Sequence, residues 1–458
     1  MTAAAVRLGV KKELRALAAP WAACAVPILA LAALGSRHPS LRPLAIPMYI
    51  IGLAVLGGMS IGHEYTNRTL AVLLSQPMIR ARVLLLKLTV LAAALATFAG
   101  LFTLLFWGDP HVAPMWMIVV LPVSCGLFAA PWLTMATRSA IAGALFTMAI
   151  PGMCFTASAL LYFLAYRRAP SPAFDMAVTS TIALALSAVG AVMSWRGFMR
   201  LEAMDGDTAG VRMPEWLTAR TASPAVTAAS RRHGIWELVK KELHLQQLAL
   251  VVAAIYVLSF LAVRWLQPYV LAWLAFSSNK IDDIMGAVMF FYPFLIVMLI
   301  GSIASAEERQ LGTLEWQMLL PVAAWKQWAV KVGVVLALSL IVTLVVPSLF
   351  FDERVRSKIF RQIFRLDLAI LVAVLATGSL YISSLCTNGL RALVISVAVT
   401  FVAVLVISLS ADILLISAVV QQRYAPVMLG AVFCLLFTWR ALANHRSAEP
   451  GIARLFTR

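Results

Sequence analysis

Residues 44–107 read LAIPMYIIGLAVLGGMSIGHEYTNRTLAVLLSQPMIRARVLLLKLTVLAAALATFAGLFTLLFW. Two apolar runs, 44–63 and 84–107, flank a polar and basic segment that contains Pro77. A helix needs about 20 apolar residues, at about 1.5 Å rise each, to cross a bilayer. Both runs meet that length. The stretch is expected to cross the membrane, turn on one side and cross back.

Composition extends this reading to the whole chain of 458 residues. Of these, 62% are hydrophobic and only 12% charged. Soluble domains carry about 25% charged residues, and so apolar a surface would aggregate in water. The net charge is +17, from 37 Lys and Arg against 20 Asp and Glu. The basic residues lie mostly between apolar runs, the cytoplasmic bias that orients membrane helices. No nucleic-acid partner is expected; the bilayer is.

Further spans are expected near 17–35, 114–136, 140–164 and 177–198. A second series is expected near 246–265, 284–305, 328–350, 367–386, 390–411 and 424–441. The fold class is therefore all-α and polytopic, with about 12 membrane helices. The basic N-terminus lacks a cleavage site, so the first apolar run is expected to be a retained span. The run ILLISAVV after Asp412 is too short to span and reads as a re-entrant or interfacial piece.

Residues 201–235, with Gly206, Gly210, Pro214 and Pro224, form a polar linker. It divides the chain into 1–200 and 236–458, and the two parts resemble each other. Lys11-Lys12-Glu13-Leu14 recurs as Lys240-Lys241-Glu242-Leu243. HEYTNRTLAVLLSQPMIRARVLLLK (63–87) aligns without gaps on EERQLGTLEWQMLLPVAAWKQWAVK (307–331). Glu64/Glu308, Thr69/Thr313, Leu70/Leu314, Pro77/Pro321 and Lys87/Lys331 are identical pairs. Trp195-Arg196 and Trp439-Arg440 follow in the same register. Three ordered matches imply a duplication. A longer loop around SSNKIDD in the second half accounts for the different offset of the first match. Six spans per half give both halves one orientation, as parallel repeats.

Arg7, Lys11, Lys12 and Arg15, and the arginines of the linker, put both termini and the repeated segment on the cytoplasmic side. The basic loop FDERVRSKIFRQIFR (351–365) then falls outside. It reads as an interfacial helix with Phe residues among the headgroups.

The repeated segment is amphipathic. Leu70, Leu73 and Leu74 fall at helical spacing, Glu64 and Arg68 are four apart, and Pro77 ends the turn. In the second copy Leu311, Leu314 and Met318 make the stripe and Pro321 stops it. A solvated loop anchored at the interface would show the same pattern.

The segment resembles that of the ABC-2 type permease family, the membrane subunits of many ATP-driven exporters. The likeness rests on Glu307, Glu308, Gly312-Thr313-Leu314, Leu319-Leu320-Pro321 and Lys331 in the second copy. In the first it rests on Glu64, Thr69-Leu70, Leu73-Leu74, Pro77, Arg80 and Lys87. The first copy departs at Arg68, where the family favours Gly. The resemblance implies that the segment docks on a separate ATPase subunit, two copies of which would serve one fused chain. It implies connecting helices bearing Lys11, Lys12 and Glu13, and Lys240, Lys241 and Glu242. It also implies export across the plasma (inner) membrane.

No phosphate-cradling GxxxxGK[ST] loop occurs, so ATP hydrolysis is expected on the partner. His63-Glu64 lacks the second His of a zinc helix, and no GxSxG elbow is present. No enzyme site, metal or cofactor is expected. Cys24, Cys125, Cys154, Cys386 and Cys434 read as packing residues. The alternative is a secondary carrier of two six-span halves, similar in layout to the major facilitator class. Asp367 and Asp412 near span ends are poor candidates for a carrier's midplane acids. The apolar spans suit lipid-like or drug-like cargo, but lipid-facing helices look the same, so the substrate is left open.

Overall fold

The computed structural model describes residues 3–37, 42, 44–66, 69–70, 73, 79–107, 115–166, 172–201, 234–255, 257–258, 278–314, 322–346, 366–413 and 425–445. All regular structure among them is helical. Helix α1 covers Ala3–Arg37, α2 Ala45–Thr66 and α3 Arg80–Phe106. Helix α4, Met115–Ser124, passes through a π turn at Cys125–Ala129 into α5, Ala130–Thr137. Then come α6, Ala140–Tyr166, and α7, Pro172–Met199. The later helices are α8 (Gly234–Leu245), α9 (Ser278–Leu311) and α10 (Ala324–Leu340), which runs into a π turn at Ile341–Val345. They end with α11 (Leu366–Leu385), α12 (Gly389–Ile413) and α13 (Ala425–His445).

Nine segments among the described residues are long and apolar enough to cross a membrane. The chain is an all-α, multi-pass membrane protein. Helices α6 and α9 cover the expected spans 140–164 and 284–305. The expected span 246–265 is helical over 247–255, and most of its remainder lies outside the described residues. So do residues 202–233 of the expected linker 201–235, the basic loop 351–365 and most of ILLISAVV; Gly234 and Ile235 already belong to α8.

Two expectations change. The SSNKIDD stretch is not a loop from Ser278 onward: α9 begins there and carries its polar first turns beyond the apolar run. Helix propensity and continuous backbone bonding outlast the hydropathy boundary. The N-terminal basic segment is likewise continuous with the first span, as one 35-residue helix. At roughly 52 Å it exceeds the hydrocarbon thickness of about 30 Å. Its first turns therefore extend past the hydrocarbon, and Gly9 lies against Leu86 of α3.

The chain divides into two compact units. One is Met1–Arg220 with Phe401–Val406; the other is Thr221–Thr400 with Ile407–Arg458. In the first, α2 is central and packs against α1, α3, α5 and α6. Gly57 permits this: a Cβ there would collide with the Gly126 carbonyl in the π turn. Small residues let membrane helices approach closely enough for backbone contact. Pro122 and Pro131 bracket that π turn, and each removes an N–H from the ladder where the register slips. Tyr49 stacks on Phe102 at 4.3 Å and on Phe98 at 5.6 Å.

In the second unit α9 packs against α11, and α11 against α13. Ser383 sits at the first of these joints. Its hydroxyl donates to the Ser302 carbonyl at 2.7 Å and accepts the Ala306 N–H at 2.8 Å. Hydroxyls bonded between helices are a common glue where the surroundings offer no water.

Candidate functional site

In the first unit, three helices bring charged side chains to one buried point. Helix α1 supplies Lys12 and Glu13, the last turn of α2 supplies His63 and Glu64, and the second turn of α3 supplies Lys87. Lys87 Nζ lies 2.7 Å from Glu13 Oε1 and 3.1 Å from Glu64 Oε1. Lys12 Nζ reaches Glu64 Oε1 at 2.8 Å. Lys87 also donates to the Ser60 carbonyl at 3.5 Å. Glu13, Glu64 and Lys87 are buried, whereas the Lys12 side chain is 47% exposed.

The second unit makes the same arrangement from the aligned positions. Lys331 Nζ lies 3.0 Å from Glu242 Oε2 and 2.8 Å from Glu308 Oε2. Lys241 bonds Glu308 Oε1. Lys331 donates to the Ala304 carbonyl at 2.8 Å, and Ala304 aligns with Ser60 in the register of the 63–87 match. Glu242, Glu308 and Lys331 are buried. Each cluster thus sets two carboxylates against two ammoniums. Buried charges persist only when paired in this way, because desolvation of a lone ion costs several kcal/mol.

The clusters sit at the root of the repeated segment. In the first copy the Thr69 N–H donates to the Glu64 carbonyl at 3.0 Å, and its hydroxyl bonds Glu64 Oε2. The Leu73 N–H then reaches the Thr69 carbonyl at 2.9 Å, one turn on. Leu73 is buried with Ile61, Val83, Leu84, Met135 and Phe198, and Leu70 packs on the same group. In the second copy the Thr313 hydroxyl donates to the Glu308 carbonyl at 3.3 Å, and Leu314 is buried. Gly312 takes the left-handed conformation, φ 70°, that ends α9.

Of the residues expected to meet a partner, Glu64, Lys87, Glu308 and Lys331 have almost no surface to offer. They fasten the flanks of the segment. Glu13 and Glu242 are buried in the same clusters. Lys11 is exposed, as is Lys240, which pairs with Glu237 at 3.1 Å. Exposed Arg80 donates to the Met199 carbonyl at 2.8 Å, closing the end of α7. One carboxylate oxygen of Glu307 is buried without a hydrogen-bond partner. Arg68, Leu74, Pro77, Met318 and Pro321 lie outside the described residues. Trp195 and Trp439 are exposed, as headgroup-level tryptophans are.

Sequence reading named all eight cluster residues yet missed that they bond one another. The available signal was charge balance: each half carries one Lys-Glu pair, one Glu and one Lys at matched positions. His445 and Asn444 were missed, and His63 was weighed only as half of a zinc motif. Asn444 accepts from Arg309 at 3.1 Å and donates to Ser384 at 3.0 Å. Its place beyond the last apolar run gave no sign of this.

Glu13, His63 and Glu64 bring donor atoms within 4.8 Å of one another, the spread of a metal site. Both carboxylates already accept from ammonium groups, so a divalent ion there would face Lys12 and Lys87 at close range. No family model matches the chain, and no curated protein or solved structure matches it either.

Proposed function

We propose that this chain is the permease subunit of an ATP-driven transporter, a fused pair of six-span halves driven by a separate ATPase. The observation that carries this reading is the repeated charge cluster. At aligned positions in both units, it ties the basic N-terminal helix, the end of one apolar helix and the start of the next into one joint. A segment held at its root by buried ion pairs transmits a push; a loose loop absorbs it.

In this reading the twelve spans form parallel repeats with both termini in the cytoplasm. The segments following Glu64 and Glu308 are the surfaces that two ATPase copies engage. Cargo passes outward across the plasma membrane. The resemblance to ABC-2 type permeases supports the pairing of two such levers with a nucleotide-binding partner.

Reconstitution tests it. The purified chain and a purified candidate ABC ATPase are placed together in vesicles, and candidate amphipathic substrates are followed with and without ATP. Transport that requires ATP and both subunits supports the proposal. Transport by the chain alone, driven by a proton gradient, points to a secondary carrier.

A further inference from the structure

Three cations of α1 share one exposed face. Arg7, Lys11 and Arg15 recur at every fourth residue, so they line one side of the helix. All three are exposed. Leu14, 49% exposed, falls on the same side. The opposite side is covered: Gly9 lies against Leu86 of α3, and Glu13 meets Lys87. Further along, Trp21 donates to the Ala94 carbonyl at 3.1 Å. Helices α1 and α3 thus run side by side in one direction. That brings exposed Arg82, one turn before Leu86, to the same end of the first unit.

No acid offsets these charges. Glu13 and Glu64 are the only acids among the described residues of α1, α2 and α3. Both are buried and already taken by Lys12 and Lys87. Arg7, Lys11, Arg15 and Arg82 pair with no acid among the described residues. The second unit does not repeat this surface. Its matched positions are Trp236, Lys240 and His244, all exposed, and Lys240 already pairs with Glu237 at 3.1 Å. The buried joint is duplicated and the basic face is not, so the joint does not require the face.

Arg15 stands two residues before the apolar run 17–35, at the edge of the hydrocarbon. The headgroup layer on each side of a bilayer is about 5–8 Å deep. Arg7 and Arg15 are about 12 Å apart along the helix, and long basic side chains bend toward the interface. Lipid phosphates are therefore the nearest anions.

We propose that this face of α1 binds anionic phospholipid, with phosphate oxygens on Arg7, Lys11 and Arg15 and the upper acyl chain against Leu14. Guanidinium forks match phosphate oxygens, and the lysine adds a point charge. A zwitterionic lipid carries its own cation and gains less from the face. Bound lipid steadies the helix that supplies Glu13 to the buried joint. This inference does not depend on the transport reading.

Native mass spectrometry of the full chain in detergent, titrated with phosphatidylglycerol or phosphatidylcholine, counts the lipid retained. The parent chain is expected to hold phosphatidylglycerol in preference. Arg7→Gln, Lys11→Gln and Arg15→Gln together should weaken that binding by about tenfold or more, since each cation near a headgroup contributes about fivefold. Lys240→Gln, at the matched but already paired position, should leave it unchanged. Equal retention of the two lipids by the parent overturns the proposal. So does a triple variant that binds as the parent does, or a Lys240→Gln loss as large as the triple one. Displacement of the lipid by an equal concentration of inorganic phosphate also overturns it, since an anion site without an acyl-chain contact would show that. Should the triple variant fail to insert, Arg7→Gln and Arg15→Gln singly keep most of the charge. Each should then lose several-fold, and no loss in either refutes the site.

Discussion

Lys331 meets the carboxylate of Glu242 at 3.0 and 3.1 Å across 89 residues of chain. Lys87 meets Glu13 at 2.7 Å across 74 residues. The two contacts use matched residues, so the duplicated sequence carries a duplicated joint. Both lysines are buried. Neither is a surface ion pair of the weak, solvent-screened kind.

Removing a buried partner is therefore expected to be severe. Lys331→Met leaves Glu242 and Glu308 facing each other with only the partly exposed Lys241 to offset them, at a cost of about 3–5 kcal/mol. Adding Glu242→Gln to Lys331→Met should recover part of the loss. Thermal midpoints in detergent measure both. Equal midpoints for Lys331→Met and the parent chain would refute the joint.

Position within the cluster decides magnitude. Lys87→Met should cost about as much as Lys331→Met, whereas Lys12→Ala should cost no more than about 1 kcal/mol, because Lys12 is half in water. The same midpoints decide the order. A Lys12 loss as large as that of Lys87 would contradict the burial seen here.

Glu307, in the last turn of α9 and beyond the expected span 284–305, gives a pH signature. Burial pushes its carboxyl up to about 7 from the ordinary 4.5. The folded chain thus keeps a proton that the unfolded chain releases. This contribution is full below about 4.5 and fades as pH rises through about 7. It amounts to about 3 kcal/mol at most. Glu307→Gln should flatten the fall in midpoint over that window, and identical pH profiles would refute it.

Labelling tests the common orientation of the repeated segments. Arg80 and Lys326 are exposed at the starts of α3 and α10. Arg80→Cys and Lys326→Cys, in a chain with exposed Cys154 changed to Ser, should react with an impermeant maleimide from the same side. Reaction from opposite sides would end the parallel-repeat reading.

Buried Leu314 anchors the second segment. Leu314→Ala should loosen it, so that ATP hydrolysis by the reconstituted complex continues while transport per ATP falls several-fold. Unchanged coupling would separate the segment from the proposed lever.

The apolar runs by themselves determined an all-helical membrane protein, because bilayer thickness and unsatisfied backbone groups leave a 20-residue greasy stretch little other choice. The matched KKEL, Glu, Thr and Lys positions were legible too, as similarity between the halves. What only the tertiary structure decided is what those charges do. An ion pair's worth depends on distance and on water, and neither is written in sequence spacing. Glu13 and Lys87 lie far apart in the chain, and only the packing of α1 and α2 against α3 makes them neighbours. His63 looked like half of a missing zinc motif. Its neighbours are a carbonyl one turn back and carboxylates on two helices, a meeting that folding alone creates.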